Sequence, residues 1–163
     1  FALRGSSDLF ASLVLREGLT SIGDSAFYGC SGFTGSLVIP DGVTSIGESA
    51  FRDCSGLTSL TLGSGVTSIG GAAFSGCSGF TSLALGSGLT SIGDDAFDGC
   101  SGLTGSLDIP DGVTSIGTWA FDGCSNLTSL TLGSGLTSIG ERAFEDCIGL
   151  LSIKCLPDGK SSV

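Results

Sequence analysis

Apolar residues along this chain return in a fixed pattern of about two dozen positions. Across 57–77 they fall at Leu57, Leu60, Leu62, Val66, Ile69, Ala73, Phe74 and Cys77. Leu60-Thr61-Leu62 alternates apolar and polar, which predicts a half-buried strand. Gly63-Ser64-Gly65 predicts a turn, because glycine takes positive φ without steric cost. Val66 to Ile69 reads as a second extended piece. After Gly70, Ala73 and Cys77 lie four residues apart, the spacing of one face of a helical turn. The same spelling returns along the chain: Gly-Ser-Gly-Leu-Thr-Ser-Ile-Gly stands at both 86–93 and 133–140, and its core, with Leu or Val first, occurs six times.

The cysteines give the period. Cys30, Cys54, Cys77, Cys100, Cys124 and Cys147 are separated by 24, 23, 23, 24 and 23 residues, a solenoid spacing. The two 24-residue copies carry an extra glycine, Gly35 or Gly105, and then Ile-Pro-Asp-Gly at 39–42 and 109–112. They lie 70 residues apart, so a block of three repeats has been duplicated. One unit has too few apolar side chains to offset its own ordering entropy, and stacking supplies the missing contacts. The expected organisation is a single solenoid over 1–163: a partial repeat 1–18, repeats 19–42, 43–65, 66–88, 89–112, 113–135 and 136–158, and a tail 159–163. At ~4.8 Å per strand, six repeats make a rod or arc about 30 Å long. Phe10 to Leu15 resembles the strand half of a preceding repeat, and Leu156-Pro157-Asp158-Gly159 the opening of another. The natural protein is therefore expected to carry more repeats or flanking domains.

The spelling LxxLxLxxGxxxIGxxAFxxC, complete at 57–77 and 127–147, resembles the BspA-like class of leucine-rich repeats from about Phe10 to Cys155. The resemblance implies a mostly β, α/β-class, right-handed solenoid. Its xLxLx strands would form a parallel concave sheet, with short strands, turns and helical turns on the other faces. It also implies a recognition or adhesion protein at the cell surface or outside the cell, with no catalytic residues or cofactor. A surface rich in Ser, Thr and Gly sets this chain apart from its class.

Composition narrows the function further. The chain is 40% hydrophobic, enough for a core, and its 29 glycines recur at fixed places in the repeats, as turns rather than as a linker. A net charge of −10 with six Lys and Arg opposes nucleic-acid binding and docking on an anionic membrane. Apolar runs of a few residues predict no direct membrane insertion. From Phe1 onward no leader is legible, as expected of a processed protein or a piece of a longer one.

Seven cysteines raise metal and disulfide readings. Side chains stacked one strand apart hold their Cβ atoms too far apart for a disulfide, and no CxxC pair offers a zinc site. Buried free thiols are favoured over either alternative, and Cys155, near the Leu62 position, is expected in the core. Asp24, Glu48, Asp94 and Glu141 follow the Ile-Gly pair, where a carboxylate would accept N–H groups at a helix start. Asp53, Asp98, Asp122 and Asp146 read as a solvated acidic convex face. The chain lacks His, an EF-hand loop and any paired-carboxylate constellation, so neither catalytic nor metal residues are assigned.

The candidate binding surface is the concave face, where Ser59, Thr61, Ser82, Ala84, Ser106, Asp108, Ser129 and Thr131 should face solvent. Such small side chains form either an inert stacking surface or a seat for a bulkier protein or glycan partner. Trp119 and Tyr28 stand outside the core pattern as candidate aromatic contacts. Asn126-Leu127-Thr128 spells a glycosylation sequon, at a place where Asn also tolerates left-handed geometry. The expected function is a non-enzymatic protein- or glycan-binding recognition and adhesion module of a larger protein. The alternatives are a structural scaffold or spacer, intracellular or not, making contacts through open solenoid ends, and an ice- or surface-binding protein using the Thr column 20, 44, 67, 90, 114 and 137.

Overall fold

The computed structural model describes residues 12–156. Each 23- or 24-residue unit forms one coil, and every coil lays two strands on two different faces. Long strands lie at β2 (Gly35–Ile39), β4 (Leu57–Leu62), β6 (Ser82–Ala84), β8 (Gly105–Asp108), β10 (Leu127–Leu132) and β12 (Ser152–Cys155). Two-residue Ser-Ile strands lie at β1 (Ser21–Ile22), β3 (Ser45–Ile46), β5 (Ser68–Ile69), β7 (Ser91–Ile92), β9 (Ser115–Ile116) and β11 (Ser138–Ile139).

The Ser-Ile strands pair in parallel as one six-stranded sheet, in the order β1-β3-β5-β7-β9-β11. Beside it runs the Thr column. Each Thr hydroxyl donates to the carbonyl of the Thr one coil back, at 3.1, 3.0, 2.8, 3.2 and 2.9 Å from Thr44 to Thr137. The backbone N–H of the same Thr donates to that carbonyl as well. The column is a structural ladder that ties every coil to the last.

On the long-strand face the single sheet expected from the sequence is replaced by two three-stranded sheets, β2-β4-β6 and β8-β10-β12. No pairing joins β6 to β8. The break falls at Gly105, the extra residue of the 24-residue coil, which sits at φ +74°. Where β8 and β2 pair onward with β10 and β4, the register shifts at the extra glycine. One inserted residue thus costs the sheet its pairing on one side and its regular register on the other.

The helical turns are also absent: no helix occurs among the described residues. Ala73 and Cys77 do point inward together, yet the backbone is a ribbon of successive turns. Tyr28 N–H bonds to Ser25 O and Cys30 N–H to Phe27 O, three residues back. The intervening N–H groups of Ser25, Phe27 and Gly29 reach forward to Glu48, Ala50 and Arg52 of the next coil, at 2.7–2.8 Å. An α-helical turn would spend those donors within one coil; here they bind adjacent coils together. The ribbon needs a left-handed residue at its start, filled by Ser25, Ser49, Ala72, Asp95, Trp119 and Arg142 at φ 52–55°.

The corner glycines have a different role from the one their turn implies. Gly63, Gly65, Gly86 and Gly88 are absent from the positive-φ residues. A Cβ at Gly65 would run into the backbone oxygen of Asp41, and one at Gly88 into that of Ser64. They are glycine because the coils pack backbone against backbone at this corner.

Inside the coil, Phe51, Phe74, Phe97 and Phe121 are fully buried. From Phe27 to Phe144 the rings stack face to face, 4.9–5.3 Å between centroids. Below them the cysteines form a second column. The thiols of Cys54, Cys77, Cys100, Cys124 and Cys147 each donate to the carbonyl of the Phe in the preceding coil, at 3.0–3.4 Å. Burial pushes the Cys54 thiol up to about 12 and raises Cys77 and Cys100 as well, so these groups stay protonated donors. Cys155 departs from expectation. It takes the core register opposite Leu132 but is exposed, because no described coil stacks over it. Of the two terminal resemblances, Phe10 and Ala11 lie outside the described residues, as do 157–163; 12–15 forms no strand and is unpaired with β2.

Candidate binding surface

The eight small residues fall into two columns on the long-strand face. Register pairs Ser59 with Ser82 and Thr61 with Ala84 in the first sheet, and Ser106 with Ser129 and Asp108 with Thr131 in the second. The break between β6 and β8 separates the two groups. Ser82, Ala84, Thr61, Ser106 and Asp108 are exposed, whereas Ser59, Ser129 and Thr131 are half-buried. Ser59 donates to the hydroxyl of Ser36 at 2.8 Å, and Ser106 to the Asp108 carboxylate at 3.3 Å.

Both columns are longer than sequence reasoning made them. Ser36 and Ser152 extend the serine column, and Val38 and Lys154 extend its neighbour. Aligning on the Leu or Ile at the Leu60 position of each strand, rather than on the commonest spelling, would have found them. The second column then runs Val38, Thr61, Ala84, Asp108, Thr131, Lys154, apolar at one end and charged at the other.

Trp119 and Tyr28 lie on the turn face, each 39% exposed. They occupy different columns four coils apart, about 19 Å at strand spacing, and do not form one site. The turn face around them carries carboxylates in register. Asp98, Asp122 and Glu145 take the same position in successive coils, one residue after each stacked Phe. Burial, then repulsion from Asp98 and Asp94, raises the Asp95 carboxyl; burial, then Asp98, Glu145 and Asp146, raises that of Asp122. Oδ1 of Asp122 is shielded from solvent and accepts no hydrogen bond.

Two of the four carboxylates expected to cap helix starts, Asp24 and Asp94, bond across coils instead. Asp24 Oδ1 accepts Glu48 N–H at 2.8 Å, and Asp94 Oδ1 accepts Thr118 N–H at 2.7 Å. Asp41 and Asp111 do the same for the N–H and hydroxyl of Ser64 and Ser134. Asn126 donates to Ser101 O at 2.7 Å, a coil-to-coil bond.

Repeats with this spelling are described by the model of the BspA type leucine rich repeat region, which matches six copies over 5–105 and 104–162. The chain belongs to the BspA-type leucine-rich repeat family. Solved leucine-rich repeat structures resemble it along most of its length. A leucine-rich repeat protein of T. pallidum is 30% identical with a TM-score of 0.83, over 92% of this chain and 71% of that one. A leucine-rich cell surface protein of Faecalibacterium prausnitzii is 28% identical with a TM-score of 0.63, over 93% and 48%. The pneumococcal vaccine antigen PcpA is 25% identical with a TM-score of 0.68, over 87% and 35%. The chain thus spans about half or less of the last two proteins. No curated protein matches it. No helix of the described residues is long and apolar enough to cross a membrane.

Proposed function

We propose that this BspA-type solenoid is a non-enzymatic recognition or adhesion module that binds a protein or glycan partner on its long-strand face, at the cell surface or outside the cell. The observation that carries the reading is the pair of register-locked columns of small, solvent-facing side chains. Their backbones are fixed by sheet pairing on every coil, so a partner meets a preordered surface and loses little loop entropy. Cell-surface and antigen proteins among the solved relatives support the location. A structural spacer is the second reading, favoured by the exposed core-register residues Ile139 (48%) and Ile153 (62%) at one end of the coil stack. The ice-binding reading loses its motive, since each Thr hydroxyl from Thr44 to Thr137 spends its proton on the preceding coil.

Arrays of extracellular proteins and glycans, probed with the wild type and with Thr61→Arg/Thr131→Arg, test the reading. Both substitutions put a long cation on the solvent side of a paired strand, so the fold should persist. Binding at least about tenfold weaker is expected. Retention of every wild-type interaction would show that the long-strand face is not the site.

A further inference from the structure

The break in the long-strand sheet has a regular position. Coils follow a period of three, and pairing fails each time a 24-residue coil follows its predecessor: between 12–15 and β2, and between β6 and β8. At the first junction a groove of about 730 Å³ is lined by Leu13–Leu15 and β2 and reaches on to Thr61, Leu62 and Gly63 of the following coil. Val14 (80% exposed) and Val38 (56%) stand on its walls. At the second, Leu83 and Leu85 are only half-buried, although the neighbouring core positions Leu60, Leu62, Leu107 and Ile109 are at most 5% exposed. Both junctions therefore show aliphatic surface that continuous pairing would cover.

Both also carry negative charge. Glu17 and Asp41 line the first groove, which has no basic lining residue among the described residues. Asp108 and Asp111, exposed, flank the second. The three coils between the junctions span about 14 Å at strand spacing. An extended polypeptide rises about 3.4 Å per residue, so side chains four apart point the same way and lie about 14 Å apart.

We propose that the two junctions are paired anchor sites for an extended segment of a partner protein running along the solenoid axis, with aliphatic side chains at i and i+4 and Lys or Arg beside them. The inference rests on the long-strand face being the binding surface and narrows its partner to a basic, aliphatic polypeptide. The occupant is a polypeptide because both junctions offer aliphatic surface with no aromatic platform for a sugar ring among the described residues, and it is basic by complementarity to the four carboxylates.

The probe is a fluorescein-labelled twelve-residue peptide with Val at the fourth and eighth positions, Lys at the second, sixth and tenth, and Ser elsewhere. Three controls move the second Val to the seventh position, replace Lys by Glu, or replace Val by Ser. Fluorescence anisotropy should show saturable binding of the first peptide, weakened by added salt, with each control at least about tenfold weaker. Val38→Lys and Asp108→Lys should each weaken the first peptide to the same degree, whereas Ser152→Lys, two coils beyond the second junction, should not. No binding, equal binding of any control, or unchanged binding by Val38→Lys and Asp108→Lys overturns the proposal. If Thr61→Arg/Thr131→Arg abolishes the array interactions while the junction variants retain them, the long-strand face stands and the paired anchors fall. If all variants retain them, both readings fall.

Discussion

Phe74→Ala tests what the stacked rings contribute. Phe74 is fully buried, with Phe51 and Phe97 both at 5.3 Å and Phe80 tilted against it at 6.0 Å. Removing the ring leaves a cavity between two coils that are hydrogen-bonded on three sides and cannot collapse into it. Phe→Ala in such a core costs about 4 kcal/mol. Phe144 has the same position in the last ring pair but, among the described residues, stacks on one ring alone, Phe121 at 5.3 Å, and is half-buried. Its truncation should cost about 2 kcal/mol, because one ring face already meets solvent. Urea unfolding followed by circular dichroism reads the difference. With a slope of about 2 kcal/mol/M, the midpoint should fall by about 2 M for Phe74→Ala and about 1 M for Phe144→Ala. Equal losses, or a larger loss at Phe144, would refute the claim that two-sided stacking stabilises the interior coils.

Three further measurements follow from the geometry. Burial and neighbouring carboxylates raise the Asp122 carboxyl, and a raised acid contributes stability that is present below its unfolded pKa and lost as pH rises through its folded one. Wild type should therefore gain stability relative to Asp122→Asn as pH falls from about 7 to 4, read from urea midpoints; a difference that ignores pH refutes this. A thiol-reactive chromogen should label Cys155 at once in the folded protein and the six buried thiols only in denaturant, and rapid native labelling of all of them would contradict the ladder. Gly88→Ala drives a methyl into the backbone of Ser64 and should cost about 3 kcal/mol, read as a lower urea midpoint; a neutral result would restore the simple turn reading.

The strand alternation, the inward Phe and Cys columns and the buried thiols were legible in the sequence because each depends on which side chains avoid water. The turn face was not. Ala73 and Cys77, four apart, satisfy a helical turn and a turn ribbon equally, and the choice is made by N–H groups that find partners in the next coil. The corner glycines illustrate the same limit: a single repeat shows a turn, while the steric reason for glycine lies in the neighbouring coil. Gly105 read as an inserted residue, but its effect on pairing depends on the register of β6 and β10. In the binding surface, the columns were visible but their extension to Val38 and Lys154 was obscured by spellings that depart from the commonest repeat.

These inter-coil constraints also locate the freedom in the molecule. On the turn face the residue at φ 52–55° must tolerate a left-handed backbone, which limits what can stand there without strain. At the corner a Cβ on Gly65, Gly88 or Gly135 would collide with the preceding coil. The Thr column is held by a hydroxyl ladder. In the serine column, Ser59 bonds across coils to Ser36. The column Val38, Thr61, Ala84, Asp108, Thr131, Lys154 is under none of these demands, and it alone among the solvent-facing strand positions ranges from aliphatic to acidic to basic. Its side chains project from paired or edge strands, so their identity can change without altering the coil. A repeat protein built from near-identical units needs one place where the units differ at little structural cost. This column meets that requirement, and the two junctions open beside its apolar and acidic members.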